Sequence, residues 1–265
     1  MNNSDIHIIG LGNLGTAFFE GLYSFIDESS IVLYDESEDR INFFQSNFEL
    51  SVKTKIEKIT TGVLILCIKP QNISSFFQLN KSNISSDVLI CSPVAGLEID
   101  QISANFKNNI IRVMPNLLIR QNNGFIPFSK NYEDDYLGFE KNVLQKLGSI
   151  RQFEEKDFPV LTALSGSGPA WYYELSKNLV SAGVDLGLSE NDADFIIKEL
   201  VNALPNLINT PDSFETLVNK VKSPKGTTEA GINSLIEDSF DKIIKNAIQK
   251  SANRSNEISE ELKRE

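Results

Sequence analysis

The sequence is poor in the side chains that most often perform chemistry. Its 265 residues include one histidine, two cysteines and one tryptophan. The single histidine, His7, lies within the first apolar segment, which favours a packed position over a catalytic one. Cys67 and Cys91 lie in apolar, strand-like runs, so we expect buried and reduced thiols. No metal site is expected.

Long apolar runs and basic charge are also scarce. No run of about 18 apolar residues occurs, so no transmembrane helix is predicted. The first residues, "MNNSDIHIIGLG", lack the basic start and long apolar stretch of a signal peptide. With 25 basic and 36 acidic residues, the net charge is −11. That charge disfavours nucleic acid and anionic membranes as partners, and together these features predict a cytoplasmic protein.

Short apolar runs alternate with amphipathic segments in the first half of the chain. Runs such as "GVLILCIKPQ" and "DVLICSPVAG" are typical of parallel strands covered on both faces. "NGFIPFS" and "SIRQFEE" predict two further strands. Beyond about residue 155 only helical spacing remains, over 169–186, 190–208, 213–222 and 228–263. We therefore predict an α/β fold, with a Rossmann-like, mostly parallel sheet domain at 1–157 and an all-helical domain at 158–265.

A glycine cluster lies between the first predicted strand and the first predicted helix. Gly10, Gly12 and Gly15 have the spacing GxGxxG. Gly10 would permit a tight turn, Gly12 would let the backbone approach a pyrophosphate, and Gly15 would let helix and strand pack closely. The N–H groups at the helix start would face the anion. The pattern in this context predicts a dinucleotide site.

The end of the second strand indicates which dinucleotide is favoured. Asp35 follows Gly15 by 35 − 15 = 20 residues, the spacing at which a carboxylate reaches the ribose 2′-hydroxyl. Glu36 comes next, and no arginine occurs before Arg40. A 2′-phosphate would therefore meet two acidic side chains. NADH is favoured over NADPH, and both remain open.

Few residues are candidates for a strong proton donor. Tyr173 and Lys177 have the Tyr-x-x-x-Lys spacing of short-chain dehydrogenases, but the pattern is loose and falls in the helical domain. A cyclic imine suits the sequence better, because its nitrogen takes a proton before hydride arrives. The enzyme then needs mainly to hold the reacting atoms close together and exclude water.

Five separated stretches resemble the pyrroline-5-carboxylate reductase family, the last enzymes of proline synthesis. They are "IGLGNLG" (9–15), "LCIKPQ" (66–71), "RVMPN" (112–116), "TALSGSGPAWYYE" (162–174) and "SPKGTTEAGI" (223–232). The resemblance covers about residues 5–257 in order and spacing. It implies reduction of L-1-pyrroline-5-carboxylate to L-proline with NADH or NADPH, and a helical dimerisation domain that interlocks with a second subunit. We expect a homodimer or a higher homo-oligomer.

The resemblance also implies residue roles. The dinucleotide would be surrounded by Gly10, Leu11, Gly12, Asn13, Leu14, Gly15, Asp35, Cys67, Ile68, Lys69, Pro70, Pro93, Val94 and Ala95. The imino acid substrate would be bound by Ser165, Gly166, Ser167, Ser223, Gly226, Thr227 and Thr228. Thr228 and Ser223 are the expected catalytic residues, acting by substrate positioning, and no strong general acid is assigned.

In two of these segments the chemistry of the residues agrees with the roles that the resemblance implies. The "SPKGTT" loop ends in two hydroxyl residues before a predicted helix. At a helix start, backbone N–H groups and side-chain hydroxyls can bind an anion. The Ser165–Gly168 loop has almost no side chains, so a small ring and a nicotinamide can lie against its backbone. Pro169 suits the first turn of the next helix. The alternative, that this loop only packs one domain against the other, stays open.

The chain departs from the family pattern near the expected substrate segments. Leu117 and Leu118 replace Thr-Pro, and Lys225 replaces a glycine. If the backbone there needs a positive φ, the lysine costs roughly 1 kcal/mol or more. These departures leave two alternatives: a paralogue that reduces another cyclic imino acid, and a non-catalytic regulatory protein that binds a dinucleotide.

Overall fold

The computed structural model describes residues 5–208 and 210–264, within which eight strands and twelve α-helices form. The strands are β1 (Ile6–Ile9), β2 (Ile31–Tyr34), β3 (Val52–Lys53), β4 (Gly62–Leu66), β5 (Val88–Ser92), β6 (Ile110–Val113), β7 (Gly124–Lys130) and β8 (Gly148–Gln152). The helices are α1 (Asn13–Tyr23), α2 (Glu38–Phe48), α3 (Ile73–Asn80), α4 (Ile99–Ser103), α5 (Gln145–Leu147), α6 (Phe158–Leu161), α7 (Gly168–Asp185), α8 (Glu190–Ala203), α9 (Pro205–Ile208), α10 (Phe214–Val221), α11 (Thr227–Glu237) and α12 (Phe240–Leu262).

The strands form one sheet in the order β3-β2-β1-β4-β5-β6-β7-β8. Neighbours from β3 to β6 are parallel, β7 is antiparallel to β6, and β8 is parallel to β7. The predicted mostly parallel sheet is therefore confirmed. The strand order reverses between β1 and β4, and open α/β sheets bind ligands at the carboxyl ends of strands beside such a reversal.

The sheet is covered on both faces, and β4 illustrates the arrangement. Val63 and Ile65 belong to one buried cluster, and Leu64 and Leu66 belong to the other. Successive side chains of a strand point to opposite faces, so a strand buried on both sides is apolar at every position. This is why the central strands read as unbroken Val, Ile and Leu runs.

The scarce reactive side chains have packed positions. His7 is 8% exposed in β1, with its Nδ1 3.2 Å from the Tyr34 hydroxyl oxygen, and burial lowers the pKa of its imidazole. Cys67 and Cys91 are free thiols, and burial raises the pKa of both. The predictions of a packed histidine and reduced cysteines are confirmed.

The chain divides into two compact units. The sheet unit comprises the residues up to Gly168 together with those from Gln249 onward, and the helical unit comprises Pro169–Ile248. Residues 158–168 and 249–264 thus pack with the sheet, although the sequence assigned them to the helical domain; the domain division at 157/158 stays a prediction. No helix among the described residues has the length and apolarity needed to cross a bilayer.

The helical unit leaves large apolar side chains at its surface. Tyr172, Phe195, Phe214 and Ile236 are among them, and each is about two-thirds exposed or more. Exposed apolar surface on this scale is typical of a protein interface. It agrees with the expectation that these helices complete their burial against another subunit.

One predicted helix is wrong. The helical spacing over 228–263 indicated a single segment, but α11 ends at Glu237 and α12 begins at Phe240. Ser239 lies between them with φ 58°, a left-handed conformation that ends a helix. Ile236, Phe240 and Ile243 keep a spacing of three to four residues across the break, so apolar periodicity cannot reveal it.

An ion pair joins a buried arginine of β6 to a partly buried glutamate. Arg112 on β6 is 3% exposed, and its Nη1 donates to Glu155 Oε1 over 2.8 Å. The guanidinium lies 4.3 Å from the centre of the Phe158 ring. The Glu155 carboxylate also accepts the Ile99 N–H, at 3.1 Å. The neighbouring Glu154 pairs instead with Lys156 at the surface.

We predict that Glu155→Ala lowers the free energy of unfolding by about 2 kcal/mol, because it leaves a buried guanidinium without its partner. The matched control, Glu154→Ala, removes an exposed ion pair and should change stability by less than about 0.5 kcal/mol. Urea denaturation measures both. Equal effects of the two substitutions would contradict the assignment of Arg112–Glu155 as a buried stabilising pair.

Candidate active site

The turn between β1 and α1 is held by close backbone approaches. Gly10 has φ +87°, and a Cβ there would lie 2.6 Å from the Cys67 carbonyl oxygen. A Cβ at Gly15 would overlap the Gly10 carbonyl oxygen. Neither position therefore accepts a side chain, since the protein's own backbone occupies the space.

Gly12 differs, because among the described residues no atom other than those of its chain neighbours lies within 4 Å of the position that its Cβ would take. It has φ −66° and precedes the first residue of α1 without a side-chain cap. The first helical bond runs from Thr16 N–H to the Gly12 carbonyl, so the N–H groups of Asn13, Leu14 and Gly15 lack a helical acceptor. An open glycine beside unpaired N–H groups fits a dinucleotide's pyrophosphate.

Asp35 joins this turn to the end of β2. Its Oδ2 accepts the Leu11 N–H over 2.6 Å, and its Oδ1 accepts the Ser37 N–H over 2.8 Å. Arg40 is engaged by its own neighbours: Nη2 donates to Thr16 Oγ1 over 2.6 Å, and the guanidinium lies 4.6 Å from the Phe43 ring centre. The carboxylate thus braces the glycine turn, and the nearest arginine is already bound within the protein.

Two further cofactor segments predicted from the sequence follow neighbouring strands. Cys67–Pro70 leaves β4 and Pro93–Ala95 leaves β5, so both begin at the same edge of the sheet as the glycine turn. A Cβ at Gly10 would also lie 3.1 Å from Ile68 Cγ2. Lys69 is exposed, whereas Pro93 and Val94 are buried. The structure therefore brings together the cofactor residues predicted at the carboxyl ends of β1, β2, β4 and β5.

Two serines carry hydroxyls that the protein leaves unpaired. Ser92, the last residue of β5, and Ser165 have buried Oγ atoms without a hydrogen-bond partner among the described residues. Ser165 lies in a π-helical turn, Thr162–Gly166, that precedes α7, and such turns occur frequently at functional sites. Gly166 lies beside Met114, with 3.4 Å between its Cβ position and the sulfur. The sequence missed Ser92, although it is the polar end of an apolar strand.

The expected substrate loop of the helical unit is a tight turn. The Gly226 N–H donates to the Ser223 carbonyl over 3.0 Å, and Lys225 has φ 60°. A positive φ at the third residue is the pattern of a type II turn, which favours glycine there. A Cβ at Gly226 would overlap Ser223 Oγ. The condition stated for Lys225, a positive φ, is met, so this lysine occupies a strained position.

Glu229 holds the same turn, and the sequence did not reveal it. Its Oε2 accepts the Lys225 N–H over 2.7 Å. The Ala230 N–H bonds to the Gly226 carbonyl, so the N–H groups of Thr227, Thr228 and Glu229 at the start of α11 lack a helical acceptor. Gly226 supplies no side-chain cap. Unpaired N–H groups and two threonine hydroxyls at one helix start can bind a carboxylate.

The structure does not favour a tyrosine–lysine mechanism. Tyr173 is 66% exposed on α7, and Lys177 Nζ pairs with Glu174 Oε2 at 2.7 Å. The lysine therefore has a carboxylate partner. Throughout residues 5–208 and 210–264, no group of three or more histidine, cysteine, aspartate or glutamate side chains is arranged to hold a metal ion.

Comparison with known proteins connects both units to one family. Residues 155–258 match a family model described as pyrroline-5-carboxylate reductase dimerisation, and residues 5–96 match one described as NADP oxidoreductase coenzyme F420-dependent. Pyrroline-5-carboxylate reductase 2 of Bacillus subtilis is 30% identical, over 97% of this chain and 96% of that protein. The chain belongs to the pyrroline-5-carboxylate reductase family.

Other members of the pyrroline-5-carboxylate reductase family agree. The reductase of Staphylococcus haemolyticus is 28% identical over 94% of this chain and 96% of that protein. A crystal structure of Plasmodium falciparum pyrroline carboxylate reductase with NADP bound matches with a TM-score of 0.87, 25% identity, and coverage of 98% of this chain and 99% of that one. The fold of an N-terminal Rossmann-like sheet domain and a C-terminal helical dimerisation domain is thus shared.

The first departure from the reductase pattern lies in the sheet unit. Leu117 and Leu118 form a 3₁₀ turn, and their side chains are 47% and 38% exposed. Asn116 is 8% exposed and caps this turn through its side chain, which accepts the Leu118 N–H over 3.2 Å. The turn is therefore fixed by Asn116, and the two leucines add apolar surface beside it.

We predict that Gly12→Ala weakens NADH binding about tenfold, because the added methyl group occupies space that only a ligand uses. Its cost in unfolding free energy should stay below about 1 kcal/mol. The control, Gly15→Ala, overlaps backbone and should cost about 2 kcal/mol. Fluorescence titration with NADH and urea denaturation separate the two effects, and unchanged NADH affinity in Gly12→Ala would contradict the proposed use of this turn.

A second prediction concerns Lys225. We expect Lys225→Gly to raise the free energy of unfolding by about 1 kcal/mol, because glycine adopts a positive φ without strain. Lys222→Gly is the matched control, since it removes the same charge at φ −81° and should not stabilise the protein. Chemical denaturation measures both variants. If neither substitution raises the free energy of unfolding, or if both raise it equally, the result would argue against strain at Lys225.

Proposed function

We propose that the protein reduces L-1-pyrroline-5-carboxylate to L-proline with a reduced nicotinamide dinucleotide, as the last step of proline synthesis. The observation that carries the proposal is similarity to a named reductase over 97% of the chain. It is combined with a glycine turn in which the Cβ position of Gly12 faces space left open by the described residues. The first supports the reaction, and the second supports the use of a dinucleotide.

NADH is the preferred cofactor in this proposal. Asp35 and Glu36 are followed by Glu38 and Asp39 at the start of α2, so a 2′-phosphate would meet four carboxylates in five residues. Arg40, whose guanidinium is held by Thr16 and lies over the Phe43 ring, is the nearest cation that could offset them. The electrostatic cost of a 2′-phosphate at this position favours the dinucleotide with a free ribose hydroxyl.

The substrate is assigned to the turn before α11. Its carboxylate accepts hydrogen bonds from the Thr227 and Thr228 N–H groups, and the Thr228 hydroxyl orients the ring nitrogen. Ser223 and Gly226 support these groups, because the Gly226 N–H bonds to the Ser223 carbonyl. The positive N-terminal end of α11 favours the anionic substrate. Ser165, Gly166 and Ser167 are assigned to the same substrate, and the unpaired Ser165 hydroxyl supports their inclusion.

The reaction needs positioning more than acid catalysis. The reduced nicotinamide, when bound, supplies a hydride. The C5=N bond of the imine becomes a single bond, C5 gains one hydrogen, and the nitrogen keeps a proton that it acquires from water beforehand. Because the nitrogen is already protonated, the residues have to hold the ring in place and exclude bulk water. This agrees with a site of glycines, serines and threonines.

A homodimer is part of the proposal. The apolar side chains exposed on α7, α8 and α10 include Tyr172, Phe195 and Phe214, and the helical segment matches a model described as a dimerisation domain. A second copy of the same surface would bury these side chains from water, which is favourable in proportion to the apolar area removed.

A purified-protein assay tests the function. We predict imine-dependent oxidation of the cofactor with formation of proline, and a kcat/KM at least about tenfold higher with NADH than with NADPH, as expected for about 1.4 kcal/mol of repulsion. The six-membered piperideine carboxylate serves as the comparison substrate. Preference for that ring would favour the alternative of a different cyclic imino acid, and dinucleotide binding without turnover would favour a regulatory protein.

A further inference from the structure

The carboxyl-terminal turn of α12 lies directly against the segment that follows β5. Gly96 has φ +78°, and a Cβ there would lie 2.7 Å from both Ile258 Cγ2 and Ser259 N. The helix therefore approaches the backbone of Gly96 too closely for a side chain. Because this residue follows Ala95 immediately, the contact adjoins the segment assigned to the cofactor.

Glu98 adds a polar link to the same helix. Its Oε1 accepts the Ser259 hydroxyl over 2.6 Å and lies 3.0 Å from Lys263 Nζ. Ser259 is 7% exposed, whereas the Glu98 side chain is 33% exposed, so this hydrogen bond is partly buried. Burial alone would raise the pKa of the Glu98 carboxyl, but the Ser259 and Lys263 contacts lower it. The carboxylate is therefore stabilised in its charged form by Ser259 of α12, by Lys263, which follows the helix, and by Arg112.

Glu98 is itself held in place by neighbouring residues of the sheet unit. The backbone and side chain of Glu98 form a capping box with Gln101, and the Leu97 N–H donates to the Val94 carbonyl over 3.3 Å. A turn thus joins Val94 to the anchored Glu98. A cavity of about 420 Å³ runs alongside, lined by residues that include Glu98, Ser255 and Ser259. The helix end is attached by these polar groups and by Leu262, which packs against a buried apolar cluster.

We propose that Ser259 and Lys263 are positioning residues for the cofactor: through Glu98 they hold the Pro93–Ala95 segment in the conformation that binds the dinucleotide. This inference rests on the proposed function only in assigning that segment to the cofactor. Neither side chain touches the reacting atoms. Their effect is on the affinity for NADH.

The test uses Ser259→Ala and Lys263→Met in the full-length protein. We expect each to raise the Kd and the KM for NADH about fivefold, the effect of losing one hydrogen bond to a charged group. The kcat and the KM for the imine should change less than about twofold, because the substrate turn is untouched. Lys263→Arg keeps the charge and should retain most of the affinity. Fluorescence titration gives the Kd, and initial rates give the remaining constants.

Glu260→Gln is the matched control. It removes the charge of the second partner of Lys263, which lies 3.1 Å away in the last turn of α12, and leaves Glu98 unaltered. Its Kd for NADH should equal that of the unmodified protein. An unchanged Kd in Ser259→Ala and Lys263→Met, or an equal rise in the control, would overturn the inference.

If either variant unfolds, Glu98→Gln replaces it. The glutamine keeps an acceptor for Ser259 and loses the charge facing Lys263. An unchanged Kd for NADH in that variant would also overturn the inference.

The Kd comparison also separates this inference from the proposed function. Absence of turnover in the unmodified protein would count against the reductase proposal, while the Kd values of the variants would still decide the role of α12. Normal turnover with unchanged Kd values would support the reductase proposal and overturn the positioning role proposed for Ser259 and Lys263.

Discussion

The close approach of the β1–α1 turn to the β4–α3 connection is the constraint on which the rest of the structure depends. The Gly10 and Gly15 backbones leave no room for a Cβ, so α1 begins directly at the sheet edge. Asp35 then reaches the Leu11 N–H. Protein atoms explain the glycines at 10 and 15, but none lies near the Cβ position of Gly12. The described protein atoms therefore impose no requirement at Gly12, and we propose that a dinucleotide bound at this turn does.

Features with short-range causes could be predicted from the sequence. Strand burial follows from unbroken apolar runs, as in β4, and the glycine turn follows from its spacing between a strand and a helix. The strained Lys225 was predictable because a family pattern places glycine where a type II turn needs it. By contrast, β3 has two residues and gives no pattern, and the break at Ser239 is hidden by apolar spacing that continues through it.

Long-range contacts could not be predicted. Glu98 and Ser259 are 161 positions apart and meet at 2.6 Å, yet nothing in either local sequence indicates a partner. Glu229 is only four residues from Lys225, but its contact also depends on the turn that brings the Lys225 N–H to its carboxylate. Glu98 and Ser259 lie outside the quoted motifs, and Glu229 lies within one that gives no sign of its contact. Site residues lie in recognisable motifs, whereas the residues that hold them depend on the completed fold.

We propose that the start of α1 binds a nicotinamide dinucleotide through its unpaired N–H groups. Hydrogen–deuterium exchange with and without saturating NADH tests it most directly, because the amides of Asn13, Leu14 and Gly15 have no helical acceptor in the free protein. Slower exchange in peptides that cover these three residues is predicted. Unchanged exchange there, under conditions in which NADH is bound, would contradict the account.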